Sequence, residues 1–243
     1  DGYFYLPNFL NTEKISQLKS LFEFYYKQSL NDIGMWNSLF DIDKEASQLV
    51  SNKIIACIQD ELDGLFESYS TPVASIMCKN LGEKGICDFH RDFSIQDEEK
   101  FEYRNVWIPL VDVGTDNGAL YALKGSHRQF NYPLPMFQKW PYTHLQKELF
   151  EKAEMFNVKA GDLVVYADRT LHGSYLNLSE NPRPVIHLGA LHPDYETAYY
   201  LLNDDIVEVY QVPFSFFFEN NYENMKERFP LIRSFKYEPP KVS

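Results

Sequence analysis

From Val73 onward the chain breaks into short runs rich in β-branched and aromatic residues, each closed by a turn signal. This rhythm restricts the fold more than any other feature. The runs are Val73–Cys78, Ile86–His90, Tyr103–Val111, Ala119–Leu123, Met155–Val158, Leu163–Tyr166 and Pro184–Leu191. Gly82, Gly85, Gly114, Asn117-Gly118, Gly125 and Gly161-Asp162 punctuate them. Short strands at such intervals leave edges that must be paired, and an antiparallel sandwich or barrel pairs them.

What precedes this region is helical. Asp1-Gly2-Tyr3-Phe4-Tyr5-Leu6-Pro7 reads as a short strand ended by proline. Asn11 or Thr12 caps a helix in which Ile15, Leu18, Leu21, Phe22 and Tyr25 recur at helical spacing. A second helix is predicted from about Asp43 to Phe66, with Leu49, Ile54, Ile58, Leu62 and Leu65 as its buried stripe. The two helices are expected to cover one sheet face. The reading is one domain over residues 1–243: a helical layer at about 11–70, a β core at about 72–200 and a C-terminal extension at about 201–243.

Residues 129–150 interrupt the strands. Pro133, Pro135 and Pro141 lie among Tyr132, Phe137, Trp140 and Tyr142, as expected of a lid or binding loop that shapes a pocket for a partly apolar small molecule. An amphipathic helical segment is expected from Phe217 through Met225, and a solvated loop at Asp97-Glu98-Glu99.

The net charge of −12 repels phosphate backbones and argues against nucleic-acid partners. No apolar run approaches the roughly 18 residues of a membrane span, and no signal peptide is visible. Cys57, Cys78 and Cys87 match no zinc or redox spacing, so free thiols in a reducing cytoplasm are expected.

The chemistry concentrates in Phe89-His90-Arg91-Asp92-Phe93. In extended chain, residues i and i+2 face one side, so His90 and Asp92 converge and Arg91 faces away. An imidazole nitrogen and a carboxylate oxygen suit iron(II), and His172 is the best third donor. Two histidines and one carboxylate on one face leave positions open for a bidentate 2-oxo acid and dioxygen. Arg183, eleven residues after His172, offers a guanidinium fork for the far carboxylate of 2-oxoglutarate, a contact worth roughly 1.5–3 kcal/mol. The plainer readings are a surface ion pair for His90 with Asp92, a loop histidine for His172, a solvated charge for Arg183 and simple core for Trp107. His127 reads as a structural hydrogen-bonder, and His144 as exposed. His187 reads as an inward strand residue, with pocket lining as the alternative. One of Cys78, Lys79 and Asn80 is expected to touch the co-substrate, with the choice left open.

Taken together these segments resemble the phytanoyl-CoA dioxygenase family, which also contains ectoine hydroxylase. The resemblance begins at Asp1-Gly2-Tyr3 and continues through His90-Arg91-Asp92, Trp107-Ile108-Pro109-Leu110-Val111-Asp112 and Asn117-Gly118-Ala119-Leu120. It then takes in Leu123-Lys124-Gly125-Ser126-His127-Arg128, Gly161-Asp162-Leu163, His172-Gly173-Ser174 and Asn181-Pro182-Arg183, in family order. It implies a mainly β fold with flanking helices: a double-stranded β-helix (jelly roll, cupin-like) core under an N-terminal helical layer. It implies iron(II), 2-oxoglutarate and O2, with His90, Asp92 and His172 as metal ligands. Arg183 would anchor the co-substrate, assisted by Ser174 and with Trp107 nearby. Related halogenases replace the carboxylate ligand by Gly or Ala. This chain keeps Asp92, which favours hydroxylation.

The expected activity is hydroxylation of an unactivated C–H bond in a free small molecule, a natural-product intermediate or an amino-acid-like compound. Arg128 or Arg91 would fix a substrate carboxylate. The alternatives are a protein side-chain hydroxylase and a non-catalytic jelly-roll binding module. Monomer and homodimer both remain open.

Overall fold

The β runs pair into two sheets that face one another. The computed structural model describes residues 1–26, 34–82, 85–130, 132–136, 138, 142–218 and 224–238. In chain order come β1 (Tyr3–Leu6), α1 (Thr12–Tyr26), β2 (Met35–Asn37), α2 (Lys44–Leu65), β3 (Ala74–Lys79), β4 (Cys87–His90), β5 (Arg104–Pro109) and β6 (Leu120–Ala122). Then follow α3 (Ser126–Gln129), α4 (Gln146–Lys152), β7 (Glu154–Met155), β8 (Leu163–Ala167), β9 (His172–Ser174) and β10 (Arg183–Ala190). Last are β11 (Ala198–Asn203), β12 (Ile206–Gln211), α5 (Met225–Arg228) and β13 (Leu231–Lys236).

The large sheet has the order β1-β8-β5-β10-β3-β2 and the small one β4-β9-β6-β7. From β3 to β10 the chain keeps crossing between them, the winding of a jelly roll. The crossings bring β4 beside β9, which lie far apart in sequence.

Strand alternation sets the layers. On the large sheet Ile76, Cys78, Val106, Ile108, Leu163, Val165, Ile186 and Leu188 point outward and pack with Leu18, Phe22, Ile54, Ile58 and Leu62 of the two helices. Their neighbours Trp107, Val164, Tyr166 and Val185 point inward and meet Leu120, Ala122 and Phe156 from the small sheet. Both faces of the large sheet are therefore covered, which explains its nearly continuous apolar runs.

The helical layer stands as expected, with one shift. The Asp43 carboxylate caps α2, accepting from the Ala46 N–H at 2.9 Å. The buried stripe is Ser47, Val50, Ser51, Ile54, Ile58 and Leu62. Leu49 is 46% exposed instead. At 100° per residue it lies about 140° around the helix from Ile54, outside the stripe.

Other expectations change more. The C-terminal extension forms a three-stranded antiparallel sheet, β11-β12-β13. Phe214–Phe218 is a 3-10 turn, and residues 219–223 of the expected helical segment lie outside the described residues. In the 129–150 segment, Phe137 and Trp140 also lie outside them. Phe130, Leu134, Tyr142 and Phe150 pack with Phe89 and Leu171 in a cluster of their own. Gln146 fastens this segment to the edge strand β4: its amide accepts from Phe89 N–H at 2.6 Å and donates to Phe89 C=O at 2.9 Å. The acidic run is not solvated either. The side chains of Asp97 and Glu98 are 1% and 5% exposed, and only Glu99 is open to solvent. Arg91, Arg169 and Arg233 reach them, and buried carboxylates require such partners. Among the described residues no helix is long and apolar enough to cross a membrane.

Two measurements test this packing. Ile58 is fully buried, so Ile58→Ala should lose about 2–5 kcal/mol in a denaturant titration. Leu49→Ala should stay within about 0.5 kcal/mol of wild type. Asp168 is 2% exposed; burial first, and then the nearby Glu98 charge, push its carboxyl up to about 7. Between the ordinary carboxyl value of about 3.9 and about 7, the unfolded chain releases this proton while the folded chain keeps it, so this group lowers stability as pH rises. Asp168→Asn should gain on wild type across that window, by an amount on the order of a few kcal/mol, and level off above it.

Candidate active site

Pairing of β4 with β9 sets His90 directly opposite His172. Gly173 makes the approach possible: a Cβ there would stand 2.8 Å from the Cys87 carbonyl oxygen. Asp92 lies two residues past the end of β4. Its Oδ1 is 3.7 Å from His90 Nε2 and 3.8 Å from His172 Nε2. One donor atom from each residue falls within 4.8 Å of the others, so the three can hold a metal ion.

The remaining polar atoms of the triad are already engaged. His90 Nδ1 donates to the Asp88 carbonyl at 2.8 Å, and His172 Nδ1 donates to the Thr170 carbonyl at 3.0 Å. A carbonyl only accepts, so each imidazole carries a proton on Nδ1 and turns Nε2 to the gap. Burial opposes a second proton on His90, but the Cys87 thiol and then the Asp92 carboxylate outweigh it and raise His90 to about 9, so metal binding there releases a proton from Nε2. Asn105 Nδ2 donates to Asp92 Oδ2 at 2.8 Å and leaves Oδ1 to the centre. Burial lowers His172 to about 4, so it is neutral at pH 7, as a metal ligand must be. Burial opposes charge on Asp92, but the imidazoles of His172, His90 and His187 and the Asn105 amide outweigh it and hold the carboxyl below its ordinary range. Two imidazole nitrogens and one carboxylate oxygen with their other atoms tied back form a donor set suited to iron(II).

A cavity of about 110 Å³ extends from this triad. Its wall includes the expected metal ligands His90, Asp92 and His172 and the expected co-substrate residues Trp107, Ser174 and Arg183. Arg183 is 4% exposed, and its guanidinium lies 5.5 Å over the Trp107 ring. Its Nε is buried with no hydrogen-bond partner among the described residues. A buried cation in that state is suited to pairing with an anion.

Lys79 stands beside it, directly opposite Arg183 in the β3–β10 register, and is fully buried. Its Nζ donates to the carbonyls of Gly85, Ser174 (3.3 Å) and Tyr175 (2.6 Å). Burial, then the Arg183 charge, lowers it to about 7. Of the three strand-end residues left open from sequence, Lys79 is the one that lines the cavity. The signal was alternation: Lys79 is in phase with Ser75 and Met77, whereas Cys78 packs against the helices. His187 also lines the cavity, with Nε2 3.5 Å from the Tyr166 hydroxyl. Asn105 could have been found by its phase with Trp107.

Some expectations are corrected here. Arg91 is 1% exposed and bonded to Glu98 Oε1 at 2.5 Å, so it is not free for a substrate carboxylate. Arg128 lines a different surface groove, with Gly2, Tyr3 and His127. Tyr132 and Tyr142 are absent from the cavity wall because they pack in the Phe89 cluster.

Comparison with known proteins agrees with this arrangement. Phytanoyl-CoA dioxygenase 1 of Oryza sativa subsp. japonica is 25% identical over 224 residues, covering 77% of this chain and 75% of that protein. SnoK, a non-haem alpha-ketoglutarate-dependent carbocyclase of nogalamycin biosynthesis, shares the fold with a TM-score of 0.57 at 19% identity, over 81% of each chain. SnoN, an epimerase of the same biosynthesis, gives 0.56 at 17% identity and covers 96% of this chain and 94% of its own. The profile of the phytanoyl-CoA dioxygenase (PhyH) family matches residues 1–185. That span runs from the first strand into β10 and takes in every cavity-wall residue except His187, and on this ground the chain belongs to the phytanoyl-CoA dioxygenase family of oxygenases.

Proposed function

We propose that this protein is an iron(II)- and 2-oxoglutarate-dependent oxygenase that hydroxylates an unactivated C–H bond of a free small molecule, a natural-product intermediate or an amino-acid-like compound. One observation carries the reading: a triad of metal-type donors and a buried guanidinium whose Nε has no hydrogen-bond partner among the described residues share one small cavity. His90, Asp92 and His172 hold the metal. Arg183 receives the far carboxylate of 2-oxoglutarate through a two-pronged charge-assisted contact, with Lys79 beside it and Ser174 and Trp107 shaping that end. When iron(II), 2-oxoglutarate and dioxygen are bound, the chemistry supplied is oxidative decarboxylation to succinate and carbon dioxide, with one oxygen atom passed to the substrate.

The residues of the chain bind, orient and keep out water. The Asp88 and Thr170 carbonyls hold both imidazoles in one tautomer. Asn105 keeps Asp92 turned to the centre. Trp107, Leu120 and Val185 give the cavity apolar walls. The side chains of His90 and Asp92 are 33% and 28% exposed, against 8% for His172, so substrate approaches from the His90 and Asp92 side. The cations of the cavity wall, Lys79 and Arg183, both lie at the buried co-substrate end, which favours a free small molecule over an acyl-coenzyme A. The complete donor set favours an enzyme over a binding module. The free thiols of Cys57, Cys78 and Cys87 fit a reducing, cytoplasmic setting.

Purified protein supplied with iron(II) and 2-oxoglutarate should form succinate, lose this activity to a chelator and regain it on iron addition. A metabolite panel should then yield a product heavier by one oxygen atom. His172→Ala should abolish iron binding and turnover together. A wild-type protein that binds no iron and forms no succinate would refute the reading. Arg183→Gln should raise the 2-oxoglutarate KM by roughly 10- to 150-fold, the equivalent of losing a charge-assisted contact, and an unchanged KM would remove Arg183 from that role.

A further inference from the structure

We infer that Glu98 is a positioning residue for the metal centre: its carboxylate ties the segment carrying Asp92 to the turn that leads into His172. This inference rests on the reading of His90, Asp92 and His172 as metal ligands. Asp92 lies beyond the end of β4, so no strand ladder holds it. Its segment is instead closed on itself. Arg91 Nε donates to the Asp92 carbonyl at 3.2 Å, and Arg91 Nη2 meets Glu98 Oε1 at 2.5 Å. The Ser94 hydroxyl donates to the same carboxylate oxygen.

The other Glu98 oxygen, Oε2, stands 3.3 Å from Arg169 Nε, and Arg169 Nη2 donates to the Glu98 carbonyl at 2.7 Å. Arg169 sits in the turn between β8 and β9. The next residue, Thr170, supplies the carbonyl that orients His172. One buried carboxylate therefore pairs with arginines of both stretches that provide the triad, and neither it nor those arginines line the cavity. The C-terminal sheet braces it. Tyr200 on β11 accepts from the Glu98 N–H at 3.1 Å and from Arg233 Nη2 on β13 at 3.2 Å, while Arg233 Nη1 holds Asp97 at 2.6 Å. Residues 186–243, which carry that sheet, lie beyond the residues that the family profile matches.

The physical consequence is specific. Donor atoms bind an ion well only when held close to its preferred geometry, and looseness on the order of 1 Å is enough to spoil a site. Outer partners of metal ligands typically contribute about 10- to 100-fold in metal affinity. Glu98 differs from such a partner in touching no ligand side chain; it sets the spacing of the backbone segments that bear them.

The test compares wild type with Glu98→Gln, Glu98→Asp and, as a surface control, Lys100→Ala. Iron(II) affinity is measured anaerobically by titration, following the visible charge-transfer band of the iron(II)–2-oxoglutarate complex, and the 2-oxoglutarate KM is measured at saturating iron. Glu98→Gln should weaken iron binding about 10- to 100-fold and shift the band, with the KM unchanged. Glu98→Asp should recover part of the loss, and Lys100→Ala should match wild type. A folded Glu98→Gln protein with wild-type affinity and band overturns the inference. Should Glu98→Gln fail to fold, Arg169→Lys is read in the same way: weakened iron binding with an unchanged KM supports it, and wild-type binding overturns it. Failure of wild type itself to bind iron would instead sink the metal-centre reading and this inference with it.

Discussion

The antiparallel pairing of β4 with β9 is the contact on which the site depends. It sets two imidazoles from distant stretches opposite one another, with ring centroids 4.4 Å apart. The winding of the chain between two sheets makes the pairing possible, and the absence of a side chain at Gly173 lets the backbones approach. Each imidazole is then turned by a carbonyl two residues away, so the orientation is local even though the juxtaposition is not. The divided arrangement is economical: a strand register sets distance, and nearby backbone sets tautomer.

The opposite end of the cavity is built on a different principle. Arg183 and Lys79 are buried cations whose neighbours are carbonyls, an aromatic ring and each other, with no carboxylate paired to either among the described residues. Burial weakens the hold of both on their protons. Such a pair is costly in the folded chain unless an anion joins it. Two cations in one dry pocket of an acidic protein would suit a small anion there, while the surface repels larger ones.

Legibility from sequence followed the range of the interactions. His90 and Asp92 could be paired because extended chain puts i and i+2 on one side, and Lys79 could have been chosen by the same rule of alternation. The start of α2 was readable near Asp43, while the stripe was misassigned at Leu49, which lies off the helical period shared by Val50, Ile54 and Ile58. The acidic run at Asp97-Glu98-Glu99 was misjudged for a different reason. Its burial depends on Arg91, Arg169 and Arg233, and only the first is near in sequence. The aromatics of the 129–150 segment suggested a pocket wall, yet Tyr142 and Phe150 met Phe89 and Leu171 first.

By itself the sequence determined short antiparallel strands under a helical layer and the pairing of His90 with Asp92, because these follow from periodicity, turn residues and the chemistry of side chains a few positions apart, whereas the jelly roll was implied by the family resemblance. Tertiary structure alone decided that His172 stands opposite His90, that Lys79 stands opposite Arg183 and that Glu98 lies between Arg91 and Arg169. Those outcomes depend on strand register and on partners remote along the chain, and no local pattern encodes a register between segments that meet only when the sheets close.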